Sequence, residues 1–250
     1  MYKNIFKSIV LLSSFQAVAQ QTPNDVSENY FTENDTVKKL KEVVIEVKKN
    51  TSKSSVNRAG IKEKDLPQAI QVIGTEIIQQ QQSIRLSDVV KNANGVYVGS
   101  ARGGAQESFW SRGYDMSANN MFKNGFRFNS GSIPEVASLE KVEILKGSAA
   151  LLYGNVAPGG IMNMVTKSPN FRTGGEFTMQ AGSYSFYKPS ADVYGAFNNS
   201  IAYRFNGSYE NSESFRDYVT RERYYVNPSL LFKVSDKTEI TLQADYLSDD

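Results

Sequence analysis

The side chains that most often carry chemistry are scarce in this chain. It has no histidine and no cysteine, so imidazole or thiolate zinc sites, histidine proton relays, a cysteine nucleophile and disulfides are all unavailable. Lys146-Gly147-Ser148 has the residue types of a phosphate loop, but the order G-x-x-x-x-G-K-[ST] is absent. The carboxylates are scattered without a pair set for acid–base work, and no serine has a histidine to activate it. An enzyme is not expected, and no cofactor or bound metal is implied. What remains is noncovalent chemistry. Lys41-Glu42-Val43-Val44-Ile45-Glu46-Val47 is a short β-prone island between polar stretches. An isolated strand cannot fold alone. It pairs either with the sheet edge of another protein or within its own domain, and the pattern leaves both open. Arg102 lies in the glycine-rich stretch Gly99–Gln106, which reads as a flexible loop.

The elements that would position these groups fall into four stretches. Lys3 and Lys7 precede an apolar run from Ile9 to Val18, and Ala17-Val18-Ala19 fits a small-x-small cleavage site, so residues 1–19 read as an export signal. Residues 20–60 are polar, apart from the island at 41–47, and read as a mobile N-terminus and linker. Residues 61–170 read as a compact α+β domain. Leu66–Ile73 is a strand with proline at its entry. Thr75 is a plausible N-cap for a helix running into Gln79–Gln82. Ser87 opens a second helix that ends near Asn94-Gly95. Short strands are expected at Val96–Val98, Ser108–Ser111, Asn120–Lys123 and Lys141–Leu145, and a helical turn at Ala149–Tyr153. The 28 basic and 26 acidic residues nearly cancel, which gives no reason to expect a nucleic-acid partner.

After Pro169 the pattern changes to a two-residue period. Phe177, Met179 and Ala181 alternate with Glu176, Thr178 and Gln180. Ile201, Tyr203, Phe205, Gly207 and Tyr209 alternate with Ala202, Arg204, Asn206, Ser208 and Glu210. Ile240, Leu242, Ala244 and Tyr246 alternate with Thr241, Gln243 and Asp245. Residues around 190–197 and 223–234 show the same period more weakly. Tight turns at Asn198–Ser200 and Ser235–Lys237 alternate with longer loops at Ser183–Pro189 and Asn211–Arg221. A transmembrane barrel has this pattern, and so has a soluble antiparallel sandwich. The export signal and the aromatic density favour the barrel. No run reaches the length of about 20 apolar residues that a spanning helix needs.

Residues 139–167 carry a specific likeness. Leu139-Glu140-Lys141-Val142-Glu143-Ile144-Leu145-Lys146-Gly147-Ser148-Ala149-Ala150-Leu151-Leu152-Tyr153-Gly154, followed by Ala157-Pro158-Gly159-Gly160-Ile161-Met162-Asn163-Met164-Val165-Thr166-Lys167, resembles the plug signature of TonB-dependent outer-membrane receptors. Ser111-Arg112-Gly113-Tyr114 resembles another element of that family. Leu66–Ile73 and Asp88–Val96 resemble the opening of its siderophore-receptor subgroup. Ser148 replaces the usual proline, and Asn124-Gly125 replaces a common Asp-Gly.

The resemblance implies a fold: an α+β plug domain at 61–170, then at 171–250 the first roughly five antiparallel strands of a transmembrane β-barrel of about 22 strands, incomplete in this chain. Five strands leave open edges that cannot sit in hydrocarbon. The chain is therefore expected to be the N-terminal part of a longer receptor and not to transport alone. The resemblance also implies function: TonB-dependent uptake of ferric siderophore across the outer membrane of a Gram-negative bacterium, with cobalamin, heme, another metal complex or a glycan as alternative cargo. Glu42, Val43, Val44, Ile45, Glu46 and Val47 would contact TonB, itself energised by ExbB and ExbD. Arg102 would take the place of a ligand-contacting arginine at the plug apex, joined by Ser100, Gln106, Asp115, Asn129 and Ser130. Arg112 and Lys146 would form salt bridges to glutamates on the barrel wall beyond residue 250. Outer-membrane lipid would surround the strands.

Overall fold

The structure, a computed structural model, describes residues 54–55, 68–102, 106–117, 119–128, 131, 133–147 and 153–250. The expected export signal, the island at 41–47 and most of the turn at 149–153 lie outside these residues.

The first half of the described chain builds two small sheets and two short helices. β1 (Ala69–Gly74) leads into α1 (Thr75–Gln80), and α2 (Leu86–Val90) follows. β2 (Val96–Arg102), β3 (Gln106–Ser111) and β4 (Tyr114–Asp115) form a three-stranded antiparallel sheet. β5 (Met121–Lys123), β6 (Phe126–Arg127), β7 (Leu139–Lys146) and β8 (Gly160–Thr166) join β1 in the order β1-β7-β8-β5-β6. β5 and β8 run parallel, and the other neighbours run antiparallel. β7 and β8 lie at the centre and are covered on both sides. Val142, Ile144, Met162 and Met164 pack with Ile73, Ile78, Leu86, Val89, Val90 and Phe109. Leu145 and Ile161 pack on the other side with Phe122 and Tyr153. Burying strands on both faces removes the clean alternation a half-exposed strand would show.

Local details differ from the sequence expectations. Gly74, not Thr75, takes the N-cap position of α1, and no side chain caps it. β1 stays paired to β7 through Gly74, so the chain turns from strand to helix with no residue between. α2 is shorter than expected. Its entry is fixed by Asp88, whose carboxylate accepts from Arg85 N at 3.0 Å and Ile84 N at 3.3 Å. The stretch Gly99–Gln106 is mostly strand, because β2 continues to Arg102 and β3 begins at Gln106. A register shift between Val98 and Ala101 marks a bulge. Trp110 lies over Gly99 there: a Cβ on Gly99 would come within 2.3 Å of its ring. That glycine makes room for an indole; it does not open a loop.

The second half is one antiparallel sheet. β9 (Gly174–Ala181), β10 (Tyr187–Asn198), β11 (Ile201–Glu213), β12 (Thr220–Ser235) and β13 (Thr238–Gln243) pair in sequence order, and β14 (Tyr246–Asp249) also lies on β12. β13 and β14 hold one register against β12, and Ala244 N bonds Pro228 O at 3.1 Å between them. They are two halves of a fifth long strand. β10, β11 and β12 have 12, 13 and 16 residues, which shortens the loops expected at 183–189 and 211–221. Glu213 N bonds Tyr184 O at 2.7 Å, so the ladder climbs into the second loop. Asn198 accepts from Ser200 N and Ile201 N, both at 2.8 Å, and sets the tight turn.

The two faces of this sheet differ in chemistry. Phe177, Met179, Val193, Phe205, Ile240 and Leu242 stand exposed on one side. Lys188, Asp192, Asn206, Glu210, Arg223 and Asn227 are buried on the other. Apolar outside and polar inside is the pattern of a membrane barrel, the reverse of a soluble sandwich. Tyr187, Tyr209 and Tyr224 cluster near the longer loops, with ring centroids 5.7 and 4.8 Å apart. Phe197 and Tyr203 meet at 4.7 Å beside the tight turn. Aromatic groups at both rims suit the two lipid interfaces. Among the described residues no helix is long and apolar enough to cross a membrane.

Candidate functional site

The polar face of the long-stranded sheet is covered by the α+β region, and the groups between them are charge-matched. The chain from Ile133 to Val136 is buried against the wall. Glu135, at its centre, meets Lys188 Nζ of β10 at 2.8 Å and Arg223 Nε of β12 at 3.8 Å. Lys188 also reaches Glu210 of β11 at 3.3 Å. Arg223 donates through Nη2 to the backbone oxygen of Ile133, and Ala137 N donates to Glu135 Oε1 at 3.0 Å. Three adjacent strands therefore present two cations and one anion to a single buried carboxylate. Burial alone would raise the Glu135 carboxyl. The charges of Lys188 and Arg223, with the hydrogen bonds from Lys188 and Ala137, outweigh it and hold that carboxyl below the ordinary value of 4.5.

Two further ties follow the same logic. Asp192 of β10 takes Arg204 through two bonds, at 2.8 and 2.7 Å, and Lys167 of the α+β region at 2.9 Å. Arg204 also donates to Ser168 O at 2.9 Å. The paired geometry fixes the guanidinium plane as well as its charge. Farther along the sheet, Asp245 accepts from Lys123 Nζ at 2.7 Å, Tyr225 OH at 2.5 Å and Asn227 Nδ2 at 2.9 Å. The Tyr225 oxygen lies 2.9 Å from Ser138 Oγ. The Asp192 pairs, shielded from water in this way, lock position more firmly than exposed ones; Asp245 is exposed.

The sequence did not single out these residues. A usable signal was present in the alternation: a charge at an inward position of a barrel strand has to face either water or the group that fills the lumen. Lys188, Asp192, Arg204, Glu210 and Arg223 all occupy such positions. No comparable signal marked Glu135, which lies outside any regular element.

The residues expected at the apex are placed as follows. Arg102 and Gln106 are register partners at the tip of the β2–β3 hairpin, and Gln106 is exposed. Asp115 pairs with Trp110 in the register, four residues down β3 from Gln106, about 13 Å from the tip. Its carboxylate accepts from Ser117 N at 2.7 Å. The fold does not bring Asp115 to Arg102. The side chains of Ser100 and Arg102, with Asn129, Ser130 and Glu42, Val43, Val44, Ile45, Glu46 and Val47, lie outside the described residues. Arg112 and Lys146 come close together. Arg112 is exposed and packs its guanidinium over Gly147, 3.5 Å from where a Cβ would sit. Lys146 donates to Gln71 Oε1 at 3.1 Å.

A second polar cluster lies inside the five-stranded sheet. Glu143 is fully buried. It pairs with Lys141 at 2.9 Å and accepts from Asn163 Nδ2 at 3.1 Å and Ser55 N at 2.8 Å. Burial pushes this carboxyl up, but hydrogen bonds from Ser55, Lys141 and Asn163 bring it below 4.5.

Comparison with known proteins bears on this arrangement. Residues 62–161 match the family model described as the TonB-dependent receptor plug domain. The chain is 32% identical over 203 residues to the metal-pseudopaline receptor CntO of Pseudomonas aeruginosa, an alignment covering 77% of this chain and 28% of that protein. It is 28% identical over 190 residues to the ferrioxamine receptor of Yersinia enterocolitica, covering 73% and 27%. Among solved structures, the ferric-catecholate import receptor Fiu of Escherichia coli K12, in its open form, superposes with a TM-score of 0.67 at 29% identity. That match covers 74% of this chain and 27% of Fiu. The chain thus spans about a quarter of the length of these relatives.

Proposed function

The chain belongs to the TonB-dependent receptors, and from that premise we propose that it serves the energy-dependent uptake of a ferric siderophore across the outer membrane of a Gram-negative bacterium. The observation that carries the reading is the ion-paired seam between the α+β region and the polar face of a sheet whose other face is apolar. A domain that fills a lumen and is held there by charge pairs is a gate. A gate of this kind needs an energy source to shift it. The relatives named above are receptors for ferrioxamine, for a ferric catecholate and for a metal–pseudopaline complex. These ligands are metal chelates, which favours a chelate over a glycan.

In this reading residues 1–19 direct export, residues 20–60 carry the TonB-contacting segment Glu42–Val47, residues 61–170 are the plug, and the wall begins at 171. TonB draws its energy from ExbB and ExbD. The β2–β3 hairpin tip, with Arg102 and Gln106, is the ligand-facing apex, and the Arg102 guanidinium donates to the chelate's anionic oxygens. Iron is ligated by the siderophore, so the lack of histidine and cysteine is no obstacle. Arg112 and Lys146 supply further bridges to wall glutamates.

The test is uptake of radioactive iron by iron-starved cells expressing the full-length gene. Ferrioxamine B, a catecholate chelate and a metal–pseudopaline complex are supplied separately. At least one should be taken up, and deleting residues 41–47 should abolish uptake while surface binding persists. Uptake that survives the deletion, or transport of none of these chelates, would refute the reading.

A further inference from the structure

Ser54 and Ser55 lie far from the plug sheet in sequence, yet they are bonded against its middle, Ser54 buried and Ser55 on the solvent side. Ser54 is only 8% exposed. The Ser55 backbone N–H donates to Glu143 Oε1 at 2.8 Å across 88 residues of sequence, and the Ser55 hydroxyl donates to Glu143 Oε2. Asn163 Nδ2 donates to Ser55 Oγ at 3.0 Å and to Glu143 Oε2 at 3.1 Å. Lys141 Nζ closes the cluster at 2.9 Å. Glu143 and Asn163 are register partners on β7 and β8, the two central strands.

A carboxylate with no exposed surface is tolerated only when its oxygens are paired and hydrogen-bonded. Lys141 and Asn163 come from the sheet itself. The remaining two bonds come from Ser55, eight positions after Val47 in the sequence. Without Ser55 the sheet would hold an under-bonded anion at its centre, so the cluster has a strong preference for the closed arrangement. An anion bonded to its own sheet alone would need no such visitor.

We propose that Glu143 is a positioning residue that clips the N-terminal coupling segment to the plug at Ser54–Ser55. The clip rests on the TonB-dependent reading for its purpose. A pull on the chain before Ser54 loads the Glu143–Ser55 bonds first. Their release opens the centre of β7 and β8 to water and lets the pull reach the sheet. With the clip closed, Glu143 stays buried and fully bonded. A buried acid in the plug signature strand thereby acquires a task beyond packing.

The test uses full-length receptor in outer-membrane vesicles with one introduced cysteine and no other. Ser54→Cys should react slowly with a maleimide when Glu143 is intact. With Glu143→Ala it should react at least tenfold faster, by local opening. Glu143→Gln keeps an acceptor for Ser55 N and should fall between. Ser111→Cys, at a site 1% exposed elsewhere in the plug, should stay protected in all three backgrounds. Should Glu143→Ala fail to reach the membrane, Ser55→Ala removes the hydroxyl bond alone and should still speed labelling at position 54 severalfold. Unchanged labelling at position 54, or an equal rise at position 111, would overturn the proposal. The labelling needs neither TonB nor an energised membrane. Iron uptake by the same variants tests the functional reading separately: faster labelling without energy-dependent uptake would sink that reading and leave the clip standing.

Discussion

Replacing Glu135 with alanine should open the seam between plug and wall, and the size of the effect follows from its neighbours. Glu135 and Glu210 balance Lys188 and Arg223, so the quartet is neutral and buried. At an effective dielectric of about 20, charges near 3 Å attract by roughly 5 kcal/mol before desolvation is counted. Removing one member of such a group costs about 3–5 kcal/mol, because its partners stay buried with excess charge. Lys188 keeps Glu210 at 3.3 Å and Arg223 keeps the Ile133 carbonyl. The lower end applies, about 3 kcal/mol, which corresponds to roughly a hundredfold. Hydrogen exchange of the full-length receptor in detergent provides the assay. Backbone amides near 133–139 should lose about a hundredfold in protection, while those of α2 should change little. The pair Glu135→Leu with Lys188→Met removes one charge of each sign and leaves Glu210 beside its register partner Arg223. That double variant should recover most of the protection, since an apolar pair of similar volume is often no worse than a buried ion pair. A loss below threefold in the single variant, or a double variant worse than the single, would refute the charge-balance reasoning.

Three other outcomes are expected. The folded-state carboxyls of Glu135 and Glu143 lie below 4.5, so their stabilisation is fully present above that value and is lost as pH falls through the folded pKa; plug unfolding by urea should be flat from pH 7 to about pH 5 and become easier below about pH 4. Gly160 has φ +115°, and a Cβ would sit 2.3 Å from Leu145 O, so Gly160→Ala should cost at least about 2 kcal/mol in the same titration; Gly154→Ala, at φ +74° with nothing within 4 Å, should cost about 1 kcal/mol. Val193 stands exposed near the middle of β10, and Val193→Arg should lower barrel stability by about 2–4 kcal/mol against 0–1 for Tyr187→Arg at the strand end, measured by reversible folding into lipid vesicles.

The sequence was sufficient wherever the cause is local. A strand's side chains alternate because of its own backbone, so Phe177, Met179, Ile201, Tyr203 and Phe205 showed their face without knowledge of any neighbour. The turn at Asn124-Gly125 has an equally local cause, both residues taking positive φ, +51° and +81°. The ordered residues of 139–167 carried the family. The pairing of charges could not be read this way. Glu135 meets Lys188 across 53 residues and Ser55 meets Glu143 across 88. Which acid meets which base depends on strand register, on the depth of the plug and on the shape of the chain between them, none of which a short window of sequence contains. The same holds for Gly99, whose residue type suggested a loop until Trp110 was seen to occupy the space its missing Cβ leaves. Only the tertiary fold decides these contacts, because an interaction through space is set by where distant backbones are brought together.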